Sequence, residues 1–208
     1  MAGKIIFATS NEGKMKEIRM ILADMGMEIL SMKEAGITLD IVEDGVTFEE
    51  NAVIKAKAVA AFTDAIVLAD DSGLEVDYMD KQPGVYSARF LGEDTPYTVK
   101  NQYIIDKLAQ AEGDERSARF VCVIAAVCPD GEVLTTRATI EGQIAYKEEG
   151  EGGFGYDPIL YLPQYHTTTA GLPIEEKNKI SHRGKALELM KKKLMQKCED
   201  YYADTDNK

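Results

Sequence analysis

Five apolar residues in succession, Ala65-Ile66-Val67-Leu68-Ala69, run directly into Asp70-Asp71-Ser72-Gly73. A run with no polar alternate suits a strand covered on both faces, which requires helices above and below it and predicts a layered α/β fold. The neighbouring segments supply those layers. Residues 4–8 read as a short buried strand, followed by the turn Thr9-Ser10-Asn11-Glu12-Gly13 and a helix over residues 14–25 carrying Ile18, Ile21 and Leu22. Residues 28–31 suit another strand.

Thr47 with Glu50 three positions later forms a capping box and opens a helix to about Phe62, with Asn51 and Lys55 on one face. After the acidic turn, residues 74–77 resume as a strand. Thr95-Pro96 reads as an N-cap with proline at the first helical position, opening a helix to about Ala109. Residues 119–128 and 133–144 flank Pro129-Asp130-Gly131-Glu132 as a hairpin. A glycine-rich loop covers residues 148–156. The last helix begins near Ser181, its N-cap, and lines up Leu187, Met190 and Leu194. Residues 1–200 are expected to form one α/β domain with a mixed sheet, and residues 201–208 a frayed polar tail.

Charge narrows the partners. With 36 acidic against 24 basic residues the net charge is −12, the wrong footprint for a nucleic-acid binder. A small polyanion remains compatible if basic side chains gather locally and a cation neutralises part of its charge. No apolar run approaches the roughly 20 residues that span a bilayer, and the opening residues do not read as an export signal. Cys122, Cys128 and Cys198 lack C-x-x-C spacing and suit reduced thiols, so a cytoplasmic protein is expected. Two histidines and no paired cysteines disfavour zinc; any metal should be a hard cation on carboxylates.

Five constellations have chemical potential. Thr9 to Lys14 joins a strand to a helix whose unpaired N–H groups suit a phosphate; alone it reads as an ordinary turn, and it is not a P-loop. Asp70-Asp71-Ser72-Gly73 lies where open α/β sheets bind ligands, and adjacent acids suggest magnesium, although a solvated turn has the same composition. Glu43-Asp44-Gly45 before Asn51 and Lys55 offers a second metal ligand and a phosphate partner; alone it is a surface acid cluster and a solvated lysine. Gly152 to Pro158 interleaves glycines with Phe154 and Tyr156, either of which could stack on a flat ligand. Lys177, His182 and Arg183 gather basic charge at a helix start, where it opposes the dipole and invites an anion or acceptor.

Together these stretches resemble the family of non-canonical purine nucleoside triphosphate pyrophosphatases, also called inosine triphosphatases or dITP/XTP pyrophosphatases. The resemblance runs over residues 5–187. It rests on Ala8-Thr9-Ser10-Asn11 with Lys14, Thr47 to Ala52 with Lys55-Ala56, Ala69 to Leu74, Pro83 to Arg89, Gly152 to Pro158, and Ser181-His182-Arg183. It implies a long mixed β-sheet flanked by helices, two lobes with an active-site cleft between them, and a homodimer. It also implies hydrolysis of ITP, dITP or XTP to the monophosphate and pyrophosphate, with Mg2+ as cofactor.

By the same resemblance Thr9, Ser10, Asn11, Glu12, Gly13 and Lys14 hold phosphates, with Lys55 beside them as a catalytic cation. Glu43 and Asp71 bind the metal with Asp70 close by, and Asp71 is also base for the attacking water. Ser72, Phe154, Gly155, Tyr156, Asp157, Lys177, His182 and Arg183 bind the nucleotide, the last of these around the base. The competing readings are a pyrophosphatase for pyrimidine or modified-base triphosphates and a nucleotide-sensing module; the acid pair weighs against the second.

Overall fold

The computed structural model describes residues 3–205, with side chains described as far as residue 197. Strands β1 (Lys4–Phe7), β2 (Glu28–Ser31), β3 (Ile66–Val76), β4 (Ser117–Val127), β5 (Val133–Ile144), β6 (Leu160–Leu162) and β7 (Thr167–Thr168) form one sheet in the order β2-β1-β3-β4-β5-β6-β7. It is mixed: β1 pairs in parallel with β2 and β3, whereas β6 pairs antiparallel with β5 and β7. The helices are α1 (Glu12–Ile21), α2 (Phe48–Ala60), α3 (Tyr97–Lys107), α4 (Ile174–Ile180) and α5 (His182–Thr205). No helix of the described residues is long and apolar enough to cross a membrane.

Contacts divide the chain into two compact units. The first comprises residues up to Asp70, Val123–Arg137 and the chain from Gly184 onward. Its parallel strands are apolar on both sides, with Ile5, Phe7, Val67 and Ala69 all at 0% exposure. The predicted stripe of the last helix is likewise buried at Leu187, Met190 and Leu194, and the Thr136 hydroxyl donates to the Ala186 carbonyl at 2.9 Å. The second unit, Asp71–Cys122 with Ala138–Arg183, has its own core of Leu74, Val76, Ile104, Leu108, Phe120, Ile144, Tyr156 and Ile159. Arg116 is buried there, donating to the carbonyls of Leu108, Ala111, Ile144 and Ala145. That fan of donors closes backbone acceptors that would otherwise be buried unsatisfied.

Local signals place α2 well. Thr47 Oγ1 accepts from the Glu50 amide at 3.1 Å while Glu50 Oε2 accepts from the Thr47 amide at 3.2 Å, completing the capping box. Elsewhere the structure corrects the reading. β3 does not stop at Ala69 but continues through the acidic stretch to Val76, because ladder pairing overrides the turn propensity of Asp, Ser and Gly. Thr95 does not cap α3; Pro96 occupies that position and the Thr95 hydroxyl donates to the Leu91 carbonyl. The helix α4, absent from the sequence reading, places Lys177 mid-helix rather than at a helix start. α5 extends to Thr205, past the expected end near Tyr201, and residues 206–208 of the expected tail lie outside the described residues.

Candidate active site

In the first unit, β1 ends at Phe7 and the chain turns at Ala8 and Thr9, whose amides donate to Leu68 and Phe7 carbonyls. Asn11 then caps α1: its Oδ1 accepts from the Lys14 amide at 3.1 Å, and its own amide donates to Thr9 Oγ1 at 3.2 Å. Lys14 therefore stands in the first turn of α1 with its side chain directed to Asp70 in the middle of β3. Its Nζ lies 3.1 Å and 3.0 Å from the two oxygens of Asp70, whose side chain is 1% exposed.

α2 organises the loop that carries Glu43. Glu50 Oε2 takes the amides of Val46 and Thr47, Asn51 Oδ1 takes the Gly45 amide at 2.9 Å, and Lys55 Nζ donates to Glu43 Oε2 at 3.0 Å. Asn51 and Lys55 are one turn apart on the helix, on the one face that their spacing predicted, and both are buried. Gly45 has no substitute here: a Cβ would come within 2.6 Å of Asn51 Oδ1 and 2.7 Å of Glu50 Cβ.

These pieces enclose a cavity of about 590 Å³, a size suited to a small ligand. Its lining includes Thr9, Ser10, Lys14, Glu43, Lys55 and Asp70 from the predicted set, together with Lys33 and Asp40. Asn11, Glu12 and Gly13 are not part of that lining; they form the cap and first turn of α1. Lys33 and Asp40 escaped the sequence reading. Lys33 stands two residues beyond the carboxyl end of β2, so the rule that finds Asp70 at the end of an apolar run, applied to this strand too, would have found it. Asp40 gives no comparable signal.

The second unit holds the remaining predicted residues. Asp71, 7% exposed, and Ser72 follow Asp70 along β3, and the Arg183 guanidinium donates to Ser72 Oγ at 3.2 Å. Asp157 is buried among donors: the Phe154 amide at 2.8 Å and Lys177 Nζ at 2.7 Å reach Oδ2, and the Thr169 hydroxyl lies 2.9 Å from Oδ1. Gly153 is packed against the same carboxylate, in the left-handed region at φ 74°, where a Cβ would sit 2.1 Å from Asp157 Oδ2. This clamp holds the Phe154 ring with Lys177 Nζ 5.2 Å and the Arg183 guanidinium 5.5 Å from its centroid. The Gly155 carbonyl accepts from Asn101 Nδ2. His182 stacks on Phe120 with centroids 4.9 Å apart.

One expected ligand contact becomes a core residue. Tyr156 is 5% exposed, packs in the core of the second unit, and donates its hydroxyl to the Ser87 carbonyl at 2.8 Å. Burial pushes that hydroxyl well above the ordinary tyrosine range, with the nearby Tyr97 adding to the shift. Of the two aromatics in the loop, Phe154 is the one available for stacking.

The carboxylates bear on magnesium. Among the described residues no three His, Cys, Asp or Glu side chains gather into a group fit to cage a metal, so Glu43, Asp70 and Asp71 are not a preassembled trio. Two physical reasons account for this. Successive residues of a strand leave on opposite faces, so adjacency of Asp70 and Asp71 does not join their carboxylates. Lysines also hold Asp70 and Glu43. The hard oxygen donors facing the cavity nonetheless fit magnesium in its usual mode, one or two carboxylates with substrate phosphates completing the shell.

Comparison with known proteins follows the same outline. The model of the Ham1 family matches residues 5–193. The dITP/XTP pyrophosphatase of Exiguobacterium sibiricum is 48% identical over 184 residues, covering 88% of this chain and 93% of that protein. The dITP/XTP pyrophosphatase of Bacillus subtilis is 45% identical over 189 residues, 91% of this chain and 96% of that protein. The structure of a HAM1 protein from Coxiella burnetii superposes with a TM-score of 0.84 at 39% identity, covering 93% of this chain and 99% of that one.

Proposed function

Because the chain belongs to the Ham1 family, we propose that it hydrolyses non-canonical purine nucleoside triphosphates such as ITP, dITP and XTP to the monophosphate and pyrophosphate, removing deaminated purines from the nucleotide pool. The observation that carries this reading is the cavity beside the end of β1 and the middle of β3, where Lys14 and Lys55 each stand 3.0 Å from a carboxylate. Paired charge of both signs in one cavity suits a ligand that brings both, as a metal–triphosphate does.

Thr9, Ser10, Lys14 and Lys55 take the phosphates. Glu43, Asp70 and Asp71 are the residues that would hold magnesium, which when bound neutralises phosphate charge and polarises the phosphorus–oxygen bonds. Asp71 accepts a proton from the water that attacks the α-phosphorus; the bond to the bridging oxygen breaks and pyrophosphate leaves. Lys14 and Lys55 stabilise charge on that leaving group. Positioning and charge neutralisation do most of the work in such a step, which is why no covalent nucleophile is needed.

Phe154 stacks on the base, and donors from Lys177, His182 and Arg183 select it. Hypoxanthine and xanthine carry an acceptor at the 6-position where adenine carries an amino donor. A site committed to donating there leaves its groups unpaired against adenine, and such sites discriminate by roughly 10⁴–10⁵. Ser72, Gly155 and Asp157 position these groups through the hydrogen bonds given above. We take the protein to be a cytoplasmic homodimer; a sedimentation profile showing only monomer would contradict the second part.

Rates of pyrophosphate release with ITP, XTP, ATP, GTP, UTP and dTTP, with magnesium and after chelation, test the reading. Preference for ITP and XTP with loss on chelation is expected. Comparable ATP hydrolysis would sink the base assignment, and faster UTP or dTTP hydrolysis would favour a pyrimidine enzyme. Tight binding without turnover would favour a sensor.

A further inference from the structure

The two ion pairs facing the cavity differ from ordinary salt bridges in one respect: both their cations and their anions have a second partner in the reaction proposed above. We infer that Lys14 and Lys55 act as stand-in cations. In the nucleotide-free protein each neutralises a carboxylate, and each transfers to the triphosphate only as a divalent cation takes over that carboxylate. The protein then binds the metal poorly by itself and takes up metal and triphosphate together. The inference rests on the hydrolase reading and deepens it by fixing the order of binding.

Burial drives the coupling. Asp70 is 1% exposed, and taking a neutralising cation away from a buried acid is strongly unfavourable. Lys14 leaves at low cost only as another cation arrives. The lysines can move once it does: Lys14 is 19% and Lys55 10% exposed, and each carries its ammonium on a flexible four-carbon stem. The lining is also balanced, with Lys14, Lys33 and Lys55 against Asp40, Glu43 and Asp70. A bare triphosphate meets Lys14 and Lys55 already engaged with acids. A bare dication meets Asp70 and Glu43 engaged with those lysines. Only the pair of ligands satisfies every group at once, which is positive coupling between two binding events.

Calorimetric titration of the full chain tests this with Mg2+ alone, with α,β-imido-ITP alone, and with each in the presence of the other. Wild type is expected to bind each at least about tenfold more tightly when the other is present. Lys14→Met and Lys55→Met should bind Mg2+ without nucleotide roughly tenfold more tightly than wild type, since the competing ammonium is gone. Lys33→Met removes the same charge from the lining without releasing a carboxylate from an ion pair and should change metal affinity much less. If Lys14→Met folds poorly, Lys55→Met carries the comparison, because Glu43 is 34% exposed and tolerates the loss. Equal Mg2+ affinity with and without the analogue, or an equal gain in Lys33→Met, would overturn the exchange. Wild-type turnover insensitive to chelation would instead overturn the metal part of the hydrolase reading, a separate result.

Discussion

The two units carry charge in opposite ways. Around the cavity of the first, each ion pair has a partly open partner: Glu43 has a side chain 34% exposed, and Lys14, against a buried Asp70, one 19% exposed. In the second, the Asp157–Lys177 pair is 4% and 5% exposed, and Asp157 also holds a backbone amide and a hydroxyl. The first arrangement is built for partners to be exchanged. The second is a frame in which charge fixes a loop. The lesson is that an ion pair in a ligand site can be an occupant waiting to be displaced or part of the wall, and burial of both partners rather than of one tells them apart.

The largest expected effect lies on the reaction itself. Asp71→Asn keeps the shape of the side chain but removes the base, and should lower kcat by ~10²–10⁴-fold with the thermal midpoint little changed. Near wild-type turnover would remove Asp71 from its role. Next comes the frame. Asp157→Ala strands a buried Lys177 ammonium and frees the Phe154 amide, and should destabilise the fold by about 3–5 kcal/mol in urea unfolding. Magnesium should not restore that loss, whereas it should restore much of any loss in Lys14→Met; equal rescue in both would erase the contrast between the units.

A smaller effect probes the same clamp from the backbone. Gly153→Ala places a side chain at positive φ and against Asp157, so it should lose more than the ~1–2 kcal/mol of left-handed strain alone and raise KM more than it lowers kcat. An unchanged KM would mean the loop does not present Phe154 to the base.

The smallest effect lies away from both sites. Arg119 grips Asp77 through both oxygens, at 2.8 Å and 2.9 Å, and together with Lys81 holds its carboxyl down at about 2. A carboxyl depressed in the folded state contributes stability that is complete above its unfolded value near 3.9 and is lost as pH falls through about 2. Arg119→Met should return the Asp77 titration, followed by carbon-13 NMR, toward the ordinary value and remove part of that acid sensitivity. A titration unmoved by the substitution would assign the shift elsewhere.

Legibility followed the range of the interactions. The capping box of α2 and the Asn51–Lys55 face are set within one turn of chain, so residue identities alone revealed them. The apolar face of α5 was legible for the same reason. β3 was cut short because Asp70-Asp71-Ser72-Gly73 has turn composition, while its extension depends on strand partners distant in sequence. α4 was invisible because seven residues with four charges between Pro173 and Ser181 carry too little periodicity to register. Tyr156 and Phe154 look alike in a glycine-rich loop; only packing sends one to the core and leaves the other half-buried beside Lys177 and Arg183. The lysine partners of Asp70 and Glu43 were likewise beyond reach, since they join residues 56 and 12 positions apart.

The most direct test is phosphorus NMR of the purified protein with ITP and magnesium. Cleavage at the α-phosphorus yields inosine monophosphate and pyrophosphate in equal amounts, with no orthophosphate, and that is the predicted spectrum. Orthophosphate with inosine diphosphate, or an unchanged triphosphate, would contradict the account.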